Sequence, residues 1–227
     1  MISTSPVDAP HDVLAKKLRG FGVVGILAII IILAGNLLFV PLSAILVLVW
    51  RSRSDTPWEQ IGFVAPKSWV KTIVIGAMSG ILFKLAMKAI VMPLLGAPAI
   101  NQAYQFLSHN PSALPYILYA VIVGAGFGEE TVFRGYMFER LSKLFGKGIL
   151  AKITIIIITS SLFAIAHYHD QGWPGVEQAA VTGLVFGSVY AVRRELFTVM
   201  IAHATFDLTA VAIIYYGLET KVAHLFF

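Results

Sequence analysis

Long apolar stretches recur six times along this chain, and the connections between them are too short to hold a soluble domain. About 20 apolar residues in a helix suffice to cross the hydrocarbon of a bilayer. Hydrocarbon offers no partner to a backbone N–H or C=O, so each crossing segment must pair its own. The expected fold is therefore all-α, a polytopic transmembrane helical bundle with six or seven spans. Composition agrees, with 58% hydrophobic and 13% charged residues and a mean hydropathy of +0.81, values outside the soluble range. We expect a polar segment over 1–19 and one transmembrane domain over 20–227.

The first run, Gly20 to Trp50, carries no charge but is interrupted by Gly35, Asn36 and Pro41, residues that break or kink helices. It is either one long tilted helix or a hairpin of two short arms. Later spans are expected over about Trp69–Leu95, Ala113–Glu139, Ile153–Tyr168, Val176–Val192 and Leu196–Gly217, with a turn-rich loop at His169 to Pro174. Alternating these spans gathers Arg51, Arg53, Lys67, Lys71, Arg140, Lys143, Lys147, Lys152, Arg193 and Arg194 on one side, which should be cytoplasmic. A hairpin would keep Lys16, Lys17 and Arg19 with them, placing the N-terminus in the cytoplasm.

The net charge of +5 thus reflects membrane topology, and no nucleic acid partner is expected. The N-terminal cations imitate a signal peptide. The run behind them is too long for one and lacks a cleavage site, so an uncleaved anchor in a multi-pass cell-membrane protein is expected. With no cysteine, thiol catalysis and disulfides are excluded. Gly76 with Gly80 and Gly183 with Gly187 form G-x-x-x-G pairs that should mark close helix packing.

Ionisable groups inside spans cost roughly 3 kcal/mol each by insertion scales, and they pair or line cavities. Glu129, Glu130 and Arg134 lie on the third span, His167 on the fourth, and His203 with Asp207 on the sixth. Glu130 and Arg134 are four apart with the acid first, the favoured order for an intrahelical salt bridge. Glu129, turned about 100° away in an α-helix, is left as a carboxylate free to act as a general base. His203 and Asp207 share a face, and Phe163, one turn before His167, can wall a pocket. Counted from the nearest cytoplasmic charges at ~1.5 Å per residue, Glu129, His203 and His167 lie about 16, 14 and 22 Å deep. His167 is one turn too deep, a gap that tilt or a later helix start would absorb. Lys84 and Lys88, one turn apart in the second span, are expected to snorkel or to pair with an acid the sequence does not identify.

Glu129-Glu130-x-x-x-Arg134, Phe163-x-x-x-His167 and His203-x-x-x-Asp207, in this order on successive helices, resemble the motifs of the CPBP (Abi) family, the type II CAAX prenyl endopeptidases and their bacteriocin-processing relatives. Trp58 to Phe63 is similar to a Trp-x-x-x-Gly segment that precedes the family's core. The resemblance implies a catalytic core over about 113–216 and an intramembrane glutamic endopeptidase. In it Glu129, helped by His167, would activate water, and His203 with Asp207 would stabilise the oxyanion. Asp207 departs from the prenyl proteases, which usually have Asn there.

No cofactor is expected. Were a metal present, it would be zinc on Glu129, His167, His203 and Asp207. The expected partners are the lipid bilayer and a peptide or protein substrate, prenylated or not. Two rival readings are a non-catalytic immunity or chaperone-like membrane protein and a proton-coupled transporter.

Overall fold

The interruptions at Gly35, Asn36 and Pro41 divide the first apolar run in a computed structural model that describes residues 10–226; residues 1–9 of the polar N-terminal segment and Phe227 lie outside the described residues. Helix α1 (Pro10–Arg19) leads into α2 (Val23–Ala34), which turns through Gly35–Leu37 into α3 (Leu42–Arg53). Asn36 and Ser43 clasp the turn, each side chain bonding the other's backbone N–H at 2.9 Å. These bonds satisfy donors that lipid would leave unpaired.

Each arm has 12 residues, about 18 Å at 1.5 Å per residue and short of the ~30 Å hydrocarbon thickness. The run is thus a hairpin. Its return is fixed by Trp50 Nε1 donating to Leu18 O (3.1 Å) and Arg19 Nη1 donating to Ser54 O (2.8 Å). The cations of α1 therefore stand beside Arg51 and Arg53.

Five further helices are long and apolar enough to cross a membrane: α4 (Trp69–Leu94), α5 (Pro111–Phe145), α6 (Ile149–Ala166), α7 (Tyr168–Arg193) and α8 (Leu196–Tyr215). A sixth span is reached if His11–Arg19 and Val23–Leu37, bent by 66°, count as one. A short helix, α9 (Glu219–Ala223), follows. The described residues form an all-α bundle with five helices of spanning length, or six with the bent pair, against the six or seven expected.

The most extensive pairings are α4 with α8 and α6 with α7, and the G-x-x-x-G pairs lie in them. A Cβ on Gly80 would fall 2.2 Å from the Ala202 carbonyl oxygen of α8, so only glycine permits this approach. Gly183 meets Ser160 of α6 in the same way. Val70, Leu150 and Val192 are exposed on the outside of the bundle, as suits helices of spanning length.

Three boundaries differ from those expected. Helix α5 runs past Glu139 to Phe145, so Arg140 and Lys143 lie within it. Residues 169–174 belong to α7, a helix broken at Gly172 (φ 60°, ψ −158°) and resumed at Pro174, whose missing N–H is harmless in a first turn. Helix α6 begins at Ile149, so Lys152 lies within it. A later start therefore does not account for the depth of His167. The start of α8 is fixed by Glu195, which accepts from Thr198 N (3.1 Å) and Thr198 Oγ1 (2.6 Å). The carbonyl of Gly62, in the Trp58–Phe63 segment, takes the N–H of Leu196 at 2.9 Å.

Candidate active site

Through its middle, α5 winds in wide π turns, Ala120–Glu129 and Thr131–Tyr136, with Glu130 at the junction. Such turns are rare and favour functional sites. Gly126 lets this stretch approach α8, where a Cβ would come 2.7 Å from that of Ala204. That approach brings the acids of α5 to the histidine of α8.

Glu130 is fully buried, and its Oε1 accepts from Arg134 Nη1 at 2.8 Å and from His203 Nδ1 at 2.7 Å. The salt bridge read from the four-residue spacing is present. The bond to His203 crosses between helices and is invisible to spacing within one. Arg134 also reaches the Gly183 carbonyl (3.4 Å) and lies 4.8 Å from the Phe163 ring centroid. A buried guanidinium thereby meets acceptors and a ring face on three helices.

Glu129 faces a cavity of about 590 Å³ that Phe163, His167, His203 and Asp207 also line. Its side chain is 25% exposed there, yet Oε2 is buried without a hydrogen-bond partner among the described residues. That oxygen stands 3.8 Å from His203 Nε2, and Asp207 Oδ2 stands 3.5 Å from the same nitrogen. His203 therefore has carboxylates facing both ring nitrogens.

His167, at the C-terminal cap of α6, bonds Phe163 O through Nδ1 at 2.8 Å. A carbonyl only accepts, so Nδ1 carries the proton, and in the neutral form of the ring the lone pair is then at Nε2. The Phe163 ring lies between the histidines, its centroid 4.6 Å from that of His167 and 6.0 Å from that of His203. All four proposed catalytic residues are thus brought to one cavity, with Phe163 as its wall. Among the described residues, no group of three or more His, Asp or Glu side chains is arranged to hold a metal ion.

Two further polar groups were not singled out from sequence. Glu219 is buried in α9 and accepts from Lys88 Nζ (3.2 Å), Asn101 N (2.8 Å) and Gln105 Nε2 (2.6 Å). It is the acid that Lys88 called for, and it ties the 96–110 connection over the cavity. Tyr104 in this connection accepts from Gln171 Nε2 at 3.2 Å. Its phenol is pushed up to about 12, by burial first and then by the Asp207 and Glu129 carboxylates. Lys84 also lines the cavity, donating to Gln178 Oε1 at 2.8 Å.

Fold and site together define a polytopic helical membrane protein with a buried acid–histidine cavity. Residues 111–209, just under half of the chain, match the family model described as Type II CAAX prenyl endopeptidase Rce1-like. The matched segment contains all three motifs, so the similarity read from them is to this family where they lie. Comparison with curated proteins and with solved structures returns no match.

Proposed function

We propose that the chain is an intramembrane endopeptidase in which Glu129 activates the attacking water. The observation that carries this reading is the Glu129 carboxylate, which faces a cavity with Oε2 unbonded among the described residues, while Glu130 beside it is held through Oε1 by Arg134 and His203. Glu129 accepts a proton from water as the water oxygen bonds to the peptide carbonyl carbon, and later returns a proton to the leaving amine. The bare Nε2 of His167 orients the water through its second proton. The negative charge on the carbonyl oxygen meets the N–H at His203 Nε2, and that ring is fixed from behind by Glu130. Asp207, at 3.5 Å, orients the same nitrogen. Arg134 holds Glu130 and takes no part in bond making.

The cation asymmetry supports a cytoplasmic N-terminus, with α1 beside the ends of α3 and α5: Arg140 donates to the carbonyls of Arg19 and Gly20 at 2.8 and 2.7 Å. The test is cleavage of apolar peptides by the purified protein in lipid. Glu129→Gln keeps the shape, and it should lower turnover roughly 10²–10⁴-fold without changing thermal stability. Wild-type turnover in this variant would remove Glu129 from the mechanism.

A further inference from the structure

The mechanism leaves one cation of the cavity unused. Lys84 lies within α4, only 7% exposed, where an intramembrane charge is costly and usually marks a function. Lys88, one turn on, is bound by Glu219. Lys84 is not bound in this way. Among the described residues its ammonium donates to Gln178 Oε1 and to no carboxylate, and it lies 4.6 Å from the Phe206 ring centroid.

An ammonium has three N–H donors and no acceptor. One donor is used here, and both Lys84 and Gln178 line the cavity. Because Lys84 can only donate, Gln178 must turn its amide oxygen toward it, which leaves the amide N–H groups to the cavity. A charged donor and a neutral donor from α4 and α7 thus stand side by side, with Met92, Phe206 and Ile213 as apolar lining.

We infer that Lys84 and Gln178 form a carboxylate-binding subsite of the active cavity, which holds a peptide substrate through an anionic group of its own. This rests on the endopeptidase reading. The carboxylate is either the peptide's free C-terminus or an Asp or Glu side chain. An ammonium with an adjacent amide suits either in a low-dielectric cavity, by charge-assisted hydrogen bonds. A neutral peptide offers the free donors of Lys84 no carboxylate, so the subsite discriminates against it.

The test uses the full chain in lipid nanodiscs with four peptides of one apolar sequence, ending in a carboxylate or an amide and carrying an internal Glu or Gln. Binding is measured on Glu129→Gln, which should turn the peptide over far more slowly than the wild type, and cleavage on the wild type. An anionic peptide should bind at least about tenfold tighter than the amide–Gln peptide, the ratio one charged hydrogen bond supports. Which anionic peptide gains identifies the source of the carboxylate. Lys84→Met in the Glu129→Gln background should bring the ratio to about one, Lys84→Arg should restore its direction, and Gln178→Leu should lower it. Gln178→Leu also serves should Lys84→Met fail to fold.

Equal binding of all four peptides, or a preference that survives Lys84→Met, overturns the subsite. A Lys84-dependent preference without cleavage by the wild type would keep the subsite and sink the endopeptidase. Cleavage without preference would do the reverse.

Discussion

Arg134→Met tests the division of labour between the neighbouring acids. The Glu130 side chain is 0% and that of Arg134 1% exposed, and the substitution leaves Glu130 with only His203 Nδ1 as a partner. Breaking a buried ion pair from one side costs about 3–5 kcal/mol, because the remaining charge cannot be rehydrated. In a chain of this size 1 kcal/mol moves the melting temperature by about 2–4 °C, so the variant should melt roughly 10 °C lower. Glu130→Gln/Arg134→Met removes the stranded charge and keeps an acceptor for His203, and it should recover at least about half of the loss. Thermal unfolding of the purified proteins in one detergent reads both effects. A single variant within about 2 °C of wild type, worth 1 kcal/mol or less, would refute a buried charged scaffold.

Asp207→Asn separates two uses of this position. If Asp207 orients His203 beside an oxyanion, Asn can do so without the negative charge, and activity should stay within about tenfold of wild type, against the 10²–10³ lost with an oxyanion donor. Chelators should leave the wild type active; loss of activity in Asp207→Asn with chelator inhibition reversed by zinc would instead require a metal mechanism. Topology is open to single-cysteine labelling, since the chain has no cysteine of its own. Cys at Lys147 or Arg193 should react from the cytoplasmic side and Cys at His169, whose side chain is 95% exposed, from the other. Reversed labelling would invert the orientation.

What the sequence made legible followed from periodicity within one helix. Apolar run length located the spans, the four-residue steps Glu130–Arg134 and His203–Asp207 placed side chains on common faces, and both structural G-x-x-x-G pairs could be read as packing seams. What escaped depends on contacts between helices. Nothing in the order of residues indicates that Glu130 reaches His203, and Glu219 sits among ordinary polar residues after the last apolar run. Residues 169–174 carry Gly and Pro, which signal a turn, yet packing keeps them helical on either side of one break at Gly172. The hairpin was undecidable from hydropathy, because its choice lies in two polar side chains, Asn36 and Ser43.

The Gly80 contact makes one part of the cavity wall much harder to alter than the rest. With the backbone of α4 against the Ala202 carbonyl, Lys84 on one helix and His203 with Asp207 on the other ride on a single plank, and a side chain at Gly80 would disturb all three together. The lining contributed by the α2–α3 hairpin and the 96–110 connection carries none of the proposed catalytic groups. A cavity built this way can be re-lined from that side, by exchanging residues such as Leu37, Val40 or Ile100, while its chemistry stays in register.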